Sequence, residues 1–151
     1  MASARTKTAP ADLVDVASRL RLSATRLARQ LRQQSGIGLT PSQLSALAAV
    51  HRDGPLTLGA LAEEERVAPP SVTKVIGKLE QQGLVVKRVD AGDRRVCRVA
   101  TTPAGEALLG EIRERKDAWL VTRLASLEPG DRNRLAAALD ALDLLTTKEQ
   151  Q

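Results

Sequence analysis

The chain has 151 residues, of which 42% are hydrophobic and 27% charged, proportions that fit one globular domain and leave little room for two. Its net charge is +5, and the absence of Phe and Tyr, with Trp119 as the single aromatic residue of this kind, argues against a protein that stacks single-stranded bases on aromatic platforms. No apolar run approaches the roughly 20 residues of a membrane span, and the basic start does not resemble a secretory signal, so we expect a cytoplasmic protein.

Apolar residues recur at steps of three and four after residue 10, which predicts a long first helix over residues 11–35. The apolar seam of this helix includes Leu13, Val16, Leu20 and Leu27. Gly36 and Gly38 are expected to end the helix, and residues 1–10 are expected to form a disordered basic tail.

Two shorter helices are predicted next, each beginning at a threonine that can cap it. Thr40 and Gln43 have the spacing of a capping box, so the second helix should begin after Thr40 and continue to about His51. Thr57 is expected to cap a third helix, which carries the acidic run of residues 63–65 as a solvated edge.

A fourth helix is predicted over about residues 69–82, because two prolines fit only the first turn of a helix and Gly83 suits a left-handed terminator. Its buried face should consist of Val72, Val75, Ile76 and Leu79. The opposite face is small, polar and basic, with Pro69, Pro70, Ser71, Thr73, Lys74, Gly77 and Lys78.

After Gly83 the pattern changes to β-branched residues, which predict two short strands over residues 84–89 and 96–99. The turn-rich, basic loop between them makes the pair a hairpin. Residues 66–100, which include the fourth helix and this hairpin, carry eight basic and three acidic residues, a local net charge of +5. Such a patch suits a polyanion, although charge alone is also compatible with a merely solvated surface.

Thr102 is expected to cap a fifth helix, and Pro129 separates this helix from a sixth. The apolar seam of the last helix includes Leu135, Leu142 and Leu145. The amphipathic helices at both ends of the chain cannot easily all cover one small central unit. Residues 11–35 and 103–147 are therefore interpreted as a dimerisation region that pairs with a second copy, with an intramolecular helical bundle as the alternative.

A short helix, a turn and a second helix with an exposed polar N-terminal half form the helix-turn-helix arrangement, whose second helix enters the major groove of duplex DNA. The hairpin that follows is a wing. Residues 40–102 are therefore predicted to be a winged helix-turn-helix DNA-binding region, in a mainly α fold with a small β-hairpin. The residues predicted to contact DNA are Pro69, Pro70, Ser71, Thr73, Lys74, Lys78, Arg88, Asp93, Arg94 and Arg95.

The chemistry of these residues matches that of a double helix. The hydroxyls and Lys74 can reach base edges or phosphates, and the prolines can contact a thymine methyl group. In the wing, Asp93 can accept hydrogen bonds from Arg95 and hold its guanidinium toward the narrow minor groove, with Arg94 beside it as a phosphate contact. A two-fold dimer should then bind a pseudo-palindromic operator of double-stranded DNA.

Several motifs of the chain resemble one family of regulators. They are Leu-Thr-x-Gly-x-Leu-Ala from residue 56, Leu-Glu-x-x-Gly-Leu-Val at residues 79–85, Asp-x-Arg at residues 93–95, and Thr-x-x-Gly at residues 102–105. In these motifs and over nearly its whole length, the chain resembles the MarR family. The chain departs from the commonest pattern at Ala100 and at the Pro69-Pro70 pair, and the second departure concerns sequence specificity rather than fold.

This resemblance implies a homodimeric winged-helix transcription regulator, commonly a repressor that leaves DNA on binding a small aromatic or phenolic compound. MarR-like dimers often hold such an anionic effector between the dimerisation helices and the winged region. Arg19 and Arg26, seven residues apart at the edge of the first seam, are candidates to pair with its carboxylate, and His51 is a candidate to line the same space.

Other functions are less consistent with the sequence. Cys97, on a wing strand, is expected to be a small buried hydrophobe rather than a redox sensor. Hydrolytic catalysis needs a nucleophile, a base and an orienting group, and no Gly-rich phosphate loop, metal cluster or paired-carboxylate motif stands in the sequence, so we expect no enzyme activity, no metal and no cofactor. The alternative is a helical dimeric module that binds a ligand or a protein and lacks DNA affinity.

Overall fold

The computed structural model describes residues 10–35 and 38–147, so residues 1–9 of the expected tail and Gly36 lie outside the described residues. In chain order its elements are α1 (Pro10–Gln33), α2 (Pro41–Asp53), β1 (Leu56–Thr57), α3 (Leu58–Glu65), α4 (Pro69–Gln81), β2 (Val85–Val89), β3 (Cys97–Thr101), α5 (Pro103–Ala125) and α6 (Pro129–Thr146). The predicted mainly helical fold with a small wing is confirmed.

The predicted caps form through hydrogen bonds that the threonine side chains accept. In the capping box of α2, the N–H of Gln43 donates to Thr40 Oγ1 at 3.2 Å, and the N–H of Thr40 donates to Gln43 Oε1 at 3.1 Å. Thr57 and Thr102 each accept from the backbone N–H three residues later, at 3.1 Å. Local chemistry therefore sets where α2, α3 and α5 begin.

The sheet has three antiparallel strands in the order β1-β3-β2, one more than the predicted hairpin. Strand β1 has only two residues, and it pairs Leu56 with Val99. Two residues are too few to show an alternating pattern, so sequence periodicity could not reveal this strand. Its pairing with β3 places the start of α3 against the wing.

The core lies where α2, α3 and α4 meet the sheet. The largest fully buried side chains are Leu47, Val50, Leu61, Ile76, Leu79, Val85 and Val99. The face of α4 predicted to be buried is confirmed, with Val75 packing at the edge of this core. Aliphatic side chains fill this core, and the winged unit, residues 40–102, contains no Phe, Tyr or Trp.

The long outer helices leave most of their apolar side chains in solvent. Leu13, Val16 and Leu27 of α1 are 59%, 56% and 46% exposed, and α6 has no buried residue among those described. An intramolecular bundle of these helices would cover those side chains, and within one chain they stay uncovered. An apolar surface of this extent needs a partner.

The winged unit is joined to α5 at a tight junction. Gly83 ends α4 with a φ of +74°, a left-handed conformation that favours glycine. The hydroxyl of Thr102 donates to the carbonyl oxygen of Gly83 at 2.6 Å, and the N–H of Thr102 donates to that of Leu84 at 3.1 Å. A Cβ atom on Gly105 would stand 2.2 Å from the Leu84 oxygen, so only glycine allows this approach.

We predict opposite effects on stability for two Gly→Ala changes in α5. Gly105→Ala must displace the backbone of Leu84 and should lower the free energy of unfolding by about 1 to 3 kcal/mol. Gly110→Ala, where a Cβ atom meets nothing within 4 Å, should raise it by about 0.5 to 1 kcal/mol, since glycine is a poor helix former. Urea unfolding measures both, and equal stability of the two variants would contradict the close packing at Gly105.

Candidate nucleic-acid interface

Helices α3 and α4 are joined by a turn that depends on a left-handed arginine. Arg66 has a φ of +54°, and its N–H donates to the carbonyl oxygen of Glu63 at 3.2 Å. The N–H of Val67 donates to the oxygen of Ala62 at 3.1 Å. The turn thereby satisfies the end of α3 and redirects the chain into α4, as a helix-turn-helix requires.

The outward face of α4 is exposed as the sequence predicts. Pro69, Pro70, Ser71, Thr73, Lys74 and Lys78 are all exposed, and Gly77 is half-buried. The hydroxyl of Thr73 donates to the carbonyl oxygen of Pro69 at 3.1 Å. Because its only proton is used in this way, Thr73 can offer an incoming base an acceptor, such as an adenine or cytosine amino group would need.

In the wing loop, Asp93 holds Arg95 by three hydrogen bonds. The backbone N–H, Nε and Nη2 of Arg95 donate to the Asp93 carboxylate at 3.0, 3.2 and 3.3 Å. The Arg95 side chain is nevertheless 90% exposed. The side chain of Arg95, and then its backbone N–H, lower the pKa of Asp93. An oriented guanidinium thus stands in solvent, with most of its donors free for another acceptor.

A second wing carboxylate, Asp90, was not singled out from the sequence. It accepts from the N–H groups of Gly92 and Asp93 at 3.2 and 3.1 Å and from Arg98 Nε at 3.3 Å. The N–H of Asp93, followed by Arg98, lowers the pKa of Asp90. Asp90 thus closes the loop locally and balances Arg98, which stands directly opposite Arg88 in the hairpin.

The remaining wing residues lie where the hairpin predicts them. Arg88 and Arg94 are exposed, so the expected cations of the wing are accessible to solvent. Cys97 is a free cysteine on β3 opposite Val89, and it is only partly buried, so the expectation of a buried hydrophobe is met in part.

A cavity of about 740 Å³ lies between α1, α2 and α5, and we call it the basic cavity. Its apolar wall includes Leu31, Leu44, Ala48, Leu109, Ile112 and Leu120. Its charged or titratable lining residues are His51, Arg52, Arg113, Lys116 and Asp117. The lining therefore combines apolar surface with an excess of basic groups.

His51 lines the basic cavity as expected, whereas Arg19 and Arg26 are not among its lining residues. The α1 residue that reaches it is Leu31. At about 1.5 Å of rise per residue, Arg26 lies roughly 7 Å and Arg19 roughly 18 Å back along the helix axis. Spacing within α1 placed these arginines on one edge, but it could not show which turn of α1 meets α2 and α5.

The acidic run of residues 63–65 is not simply a solvated edge. Arg52, in the wall of the basic cavity, donates from Nε to Asp53 at 2.8 Å and from Nη2 to Glu64 of α3. The hydrogen bond to Asp53, and then that to Glu64, raise the pKa of Arg52. Glu65 accepts from the hydroxyl of Ser45 in α2 at 2.5 Å. Two of the three carboxylates therefore tie α3 to α2.

Neither a metal-binding cluster nor a membrane-spanning helix is present in the described part of the chain. No group of three or more His, Cys, Asp and Glu side chains there could hold a metal ion. None of the described helices has both the length and the apolar character needed to cross a membrane.

Comparison with known proteins places these features in a family. A model of the MarR family matches residues 37–96. An HTH-type transcriptional regulator of Mycobacterium leprae is 42% identical over 130 residues, which are 84% of this chain and 90% of the relative. The HTH-type transcriptional repressor MdtR of Bacillus subtilis is 32% identical over 90 residues, which are 60% of this chain and 58% of MdtR. A crystal structure described as a transcriptional regulator from Pseudomonas aeruginosa is 32% identical with a TM-score of 0.80, covering 93% of this chain and 99% of that one.

The pairing in the wing loop leads to a prediction about pH. Arg95→Ala should move the pKa of Asp93 back up toward its ordinary value near 3.8, since the side chain of Arg95 is the main cause of the lowering. Because the pKa of Asp93 is lowered in the folded loop, its ionised carboxylate stabilises the folded loop above pH 3.8. This contribution is lost as the pH falls below 3.8 and Asp93 is protonated. NMR titration of the side-chain carboxyl carbons measures the shift.

Asp90 is the internal control for this titration. Its partners are Arg98 and two backbone N–H groups, so its lowered pKa should persist in the Arg95→Ala variant. Equal movement of both carboxyls, or of neither, would contradict the assigned pairs.

Proposed function

The chain belongs to the MarR family of transcriptional regulators, and we propose that it binds duplex operator DNA as a homodimer and represses transcription until a small aromatic acid releases it. Helix α4 is proposed to enter the major groove, and the wing the adjacent minor groove. The family consists of regulators and not of enzymes, which agrees with the chemistry of the sequence. The proposal of repression is supported by the similarity to the repressor MdtR.

One observation carries the proposed DNA binding. The guanidinium of Arg95 is fixed by Asp93 and is still 90% exposed. A long charged side chain held in this way loses less conformational entropy on binding than a free one, which favours insertion into a narrow, strongly negative groove. The exposed face of α4 supplies the groups proposed to read base edges, namely Ser71, Thr73 and Lys74.

The proposed dimer rests on the uncovered apolar faces of α1 and α6. Leu135, Leu142 and Leu145 of α6 are 48%, 38% and 69% exposed in one chain, and the α1 leucines are similarly open. A two-fold arrangement lets the same face of each copy cover its partner. Such symmetry also sets two α4 helices on one duplex, as a palindromic operator requires.

We predict that light scattering will show two chains per particle. The double change Leu142→Asp and Leu145→Asp places charge in the proposed interface and should produce monomers or unfold the protein. Val89→Asp is a matched control, because this valine is 63% exposed on the wing and should leave the dimer intact. A well-folded wild-type monomer at micromolar concentrations would contradict the proposal.

We predict that selection from random duplexes, followed by footprinting, will reveal a pseudo-palindrome with half-site centres about 10 base pairs apart. Arg95→Ala should weaken operator binding by about 1 to 3 kcal/mol. Lys74→Ala should weaken operator binding and also relax the base preference of the protein, since Lys74 is proposed to contact a base edge. Arg115→Ala is the control, since this arginine pairs with Glu111 on α5.

Two results would count against this interface. Equal binding by wild type, Arg95→Ala and Lys74→Ala at physiological salt would refute the assignment of these residues. If no duplex binds in a salt-dependent manner, the dimeric module without DNA affinity becomes the better description.

The basic cavity is the proposed site of the effector. Its volume of about 740 Å³ suits a small organic molecule, and its apolar wall suits an aromatic ring. Arg52 already bonds to Asp53 and Glu64, so His51, Arg113 and Lys116 are the proposed partners of a carboxylate. In one chain Arg19 and Arg26 lie outside this lining, so their proposed pairing with the acid requires the second subunit. A ligand that prefers the DNA-incompetent arrangement weakens operator binding by its difference in affinity.

We predict that salicylate at millimolar concentration will dissociate the operator complex. Lys116→Ala should require roughly tenfold more salicylate, since one charge-assisted hydrogen bond is lost. Arg115→Ala, one residue earlier and outside the cavity lining, should respond like wild type. A fluorescence-anisotropy titration of labelled operator measures both, and no release by salicylate or related acids would remove the effector proposal while leaving DNA binding intact.

A further inference from the structure

A second cavity, of about 310 Å³, lies inside the helix-turn-helix unit, between α2, α3, the turn that follows α3, and α4. It shares no lining residue with the basic cavity. Buried Ala46, Leu61 and Val72 provide apolar surface, and Val67, which is 46% exposed, stands at its edge. A volume in this range and a mainly apolar lining are typical of sites for small molecules.

The polar groups of this cavity have the opposite character to those of the basic cavity. Three serines line it, and Glu65 is its only charged lining residue. The Glu65 side chain is held in place, because Ser45 donates a hydrogen bond to Oε2 at 2.5 Å. In the described part of the chain the other oxygen, Oε1, has no hydrogen-bond partner, so the carboxylate can still accept from a ligand.

We propose that this cavity, which we call the acidic cavity, binds a small apolar cation: an aryl or alkyl group that carries an ammonium or amidinium. The apolar part would contact Leu61, Val67 and Val72, and the cation would donate to Glu65. A half-buried carboxylate without a lysine or arginine in the same lining repels anions and favours a cation. The proposed ligand of the acidic cavity therefore carries the opposite charge to the proposed effector.

The acidic cavity also touches the recognition helix. Ser71, in the first turn of α4, lines it and is at the same time one of the residues predicted to contact DNA. A ligand seated there would therefore lie against the part of α4 that faces DNA. The inference itself rests on the geometry of the isolated fold, so it stands or fails independently of the proposed operator binding.

The test compares benzamidine with benzamide on the wild-type chain by NMR. The two molecules have nearly the same shape, but benzamidine is cationic at neutral pH and benzamide is neutral. Benzamidine should give saturable shifts of the amide signals of Glu65, Val67 and Ser71, with a dissociation constant at least tenfold lower than that of benzamide. Saturable shifts elsewhere, or equal affinities for the two molecules, would overturn the proposal.

Matched variants locate the charge that is responsible. Glu65→Gln keeps the acceptor for Ser45 but removes the charge, and it should weaken benzamidine binding at least tenfold. Glu63→Gln removes an exposed carboxylate two residues earlier on α3, outside the cavity lining, and should change the affinity less than twofold. Undiminished binding by Glu65→Gln would overturn the assignment, and the comparison of the two ligands on wild type decides the matter even if a variant does not fold.

Discussion

The architecture depends on the close contact between the end of α4 and the start of α5. Gly83 turns the chain out of α4, and Thr102 bonds to the oxygens of both Gly83 and Leu84. Gly105 then lets the helix backbone approach Leu84 within a distance that any side chain would prevent. Because this junction joins the proposed recognition helix to a helix of the proposed dimerisation region, the spacing of two α4 helices in the proposed dimer would depend on the rigidity of this junction.

Many charged side chains of this molecule form hydrogen-bonded pairs with an opposite charge, and these pairs decide where a charge is held. In the wing, Asp93 orients Arg95 and Asp90 balances Arg98, so exposed cations keep defined directions. In the helical part, Arg52 bonds to Glu64 and thereby links the wall of the basic cavity to α3. The same acidic run supplies Glu65 to the acidic cavity. A chain of net charge +5 thus has one cavity whose charged lining residues are mostly basic and one whose only charged lining residue is acidic.

Stability of the single chain is concentrated in the winged unit. Its aliphatic core is sealed by α2, α3, α4 and the sheet, whereas α1 and α6 leave most of their leucines in solvent. This division suits the proposed release by an effector, because the outer helices can shift relative to a winged unit that keeps its own core. The basic cavity lies at the boundary between the two parts, with lining residues from α1, α2 and α5.

The sequence by itself determined the features that depend on neighbouring residues. The caps at Thr40, Thr57 and Thr102, the terminator Gly83 and the pair Asp93–Arg95 all follow from side chains within a few positions of their partners. The motifs at these positions also sufficed to predict the family and its fold.

Only the tertiary structure decided what depends on distant segments meeting. The pairing of β1 with β3, the bond from Arg52 to Glu64, and both cavities join residues from separate elements, and no local spacing encodes them. For the same reason the sequence predicted Arg19 and Arg26 as effector contacts, whereas in one chain the lining of the basic cavity includes His51, Arg113 and Lys116 and not these two arginines. Periodicity defines the face of a helix, but the height at which that face meets a neighbour is set by packing.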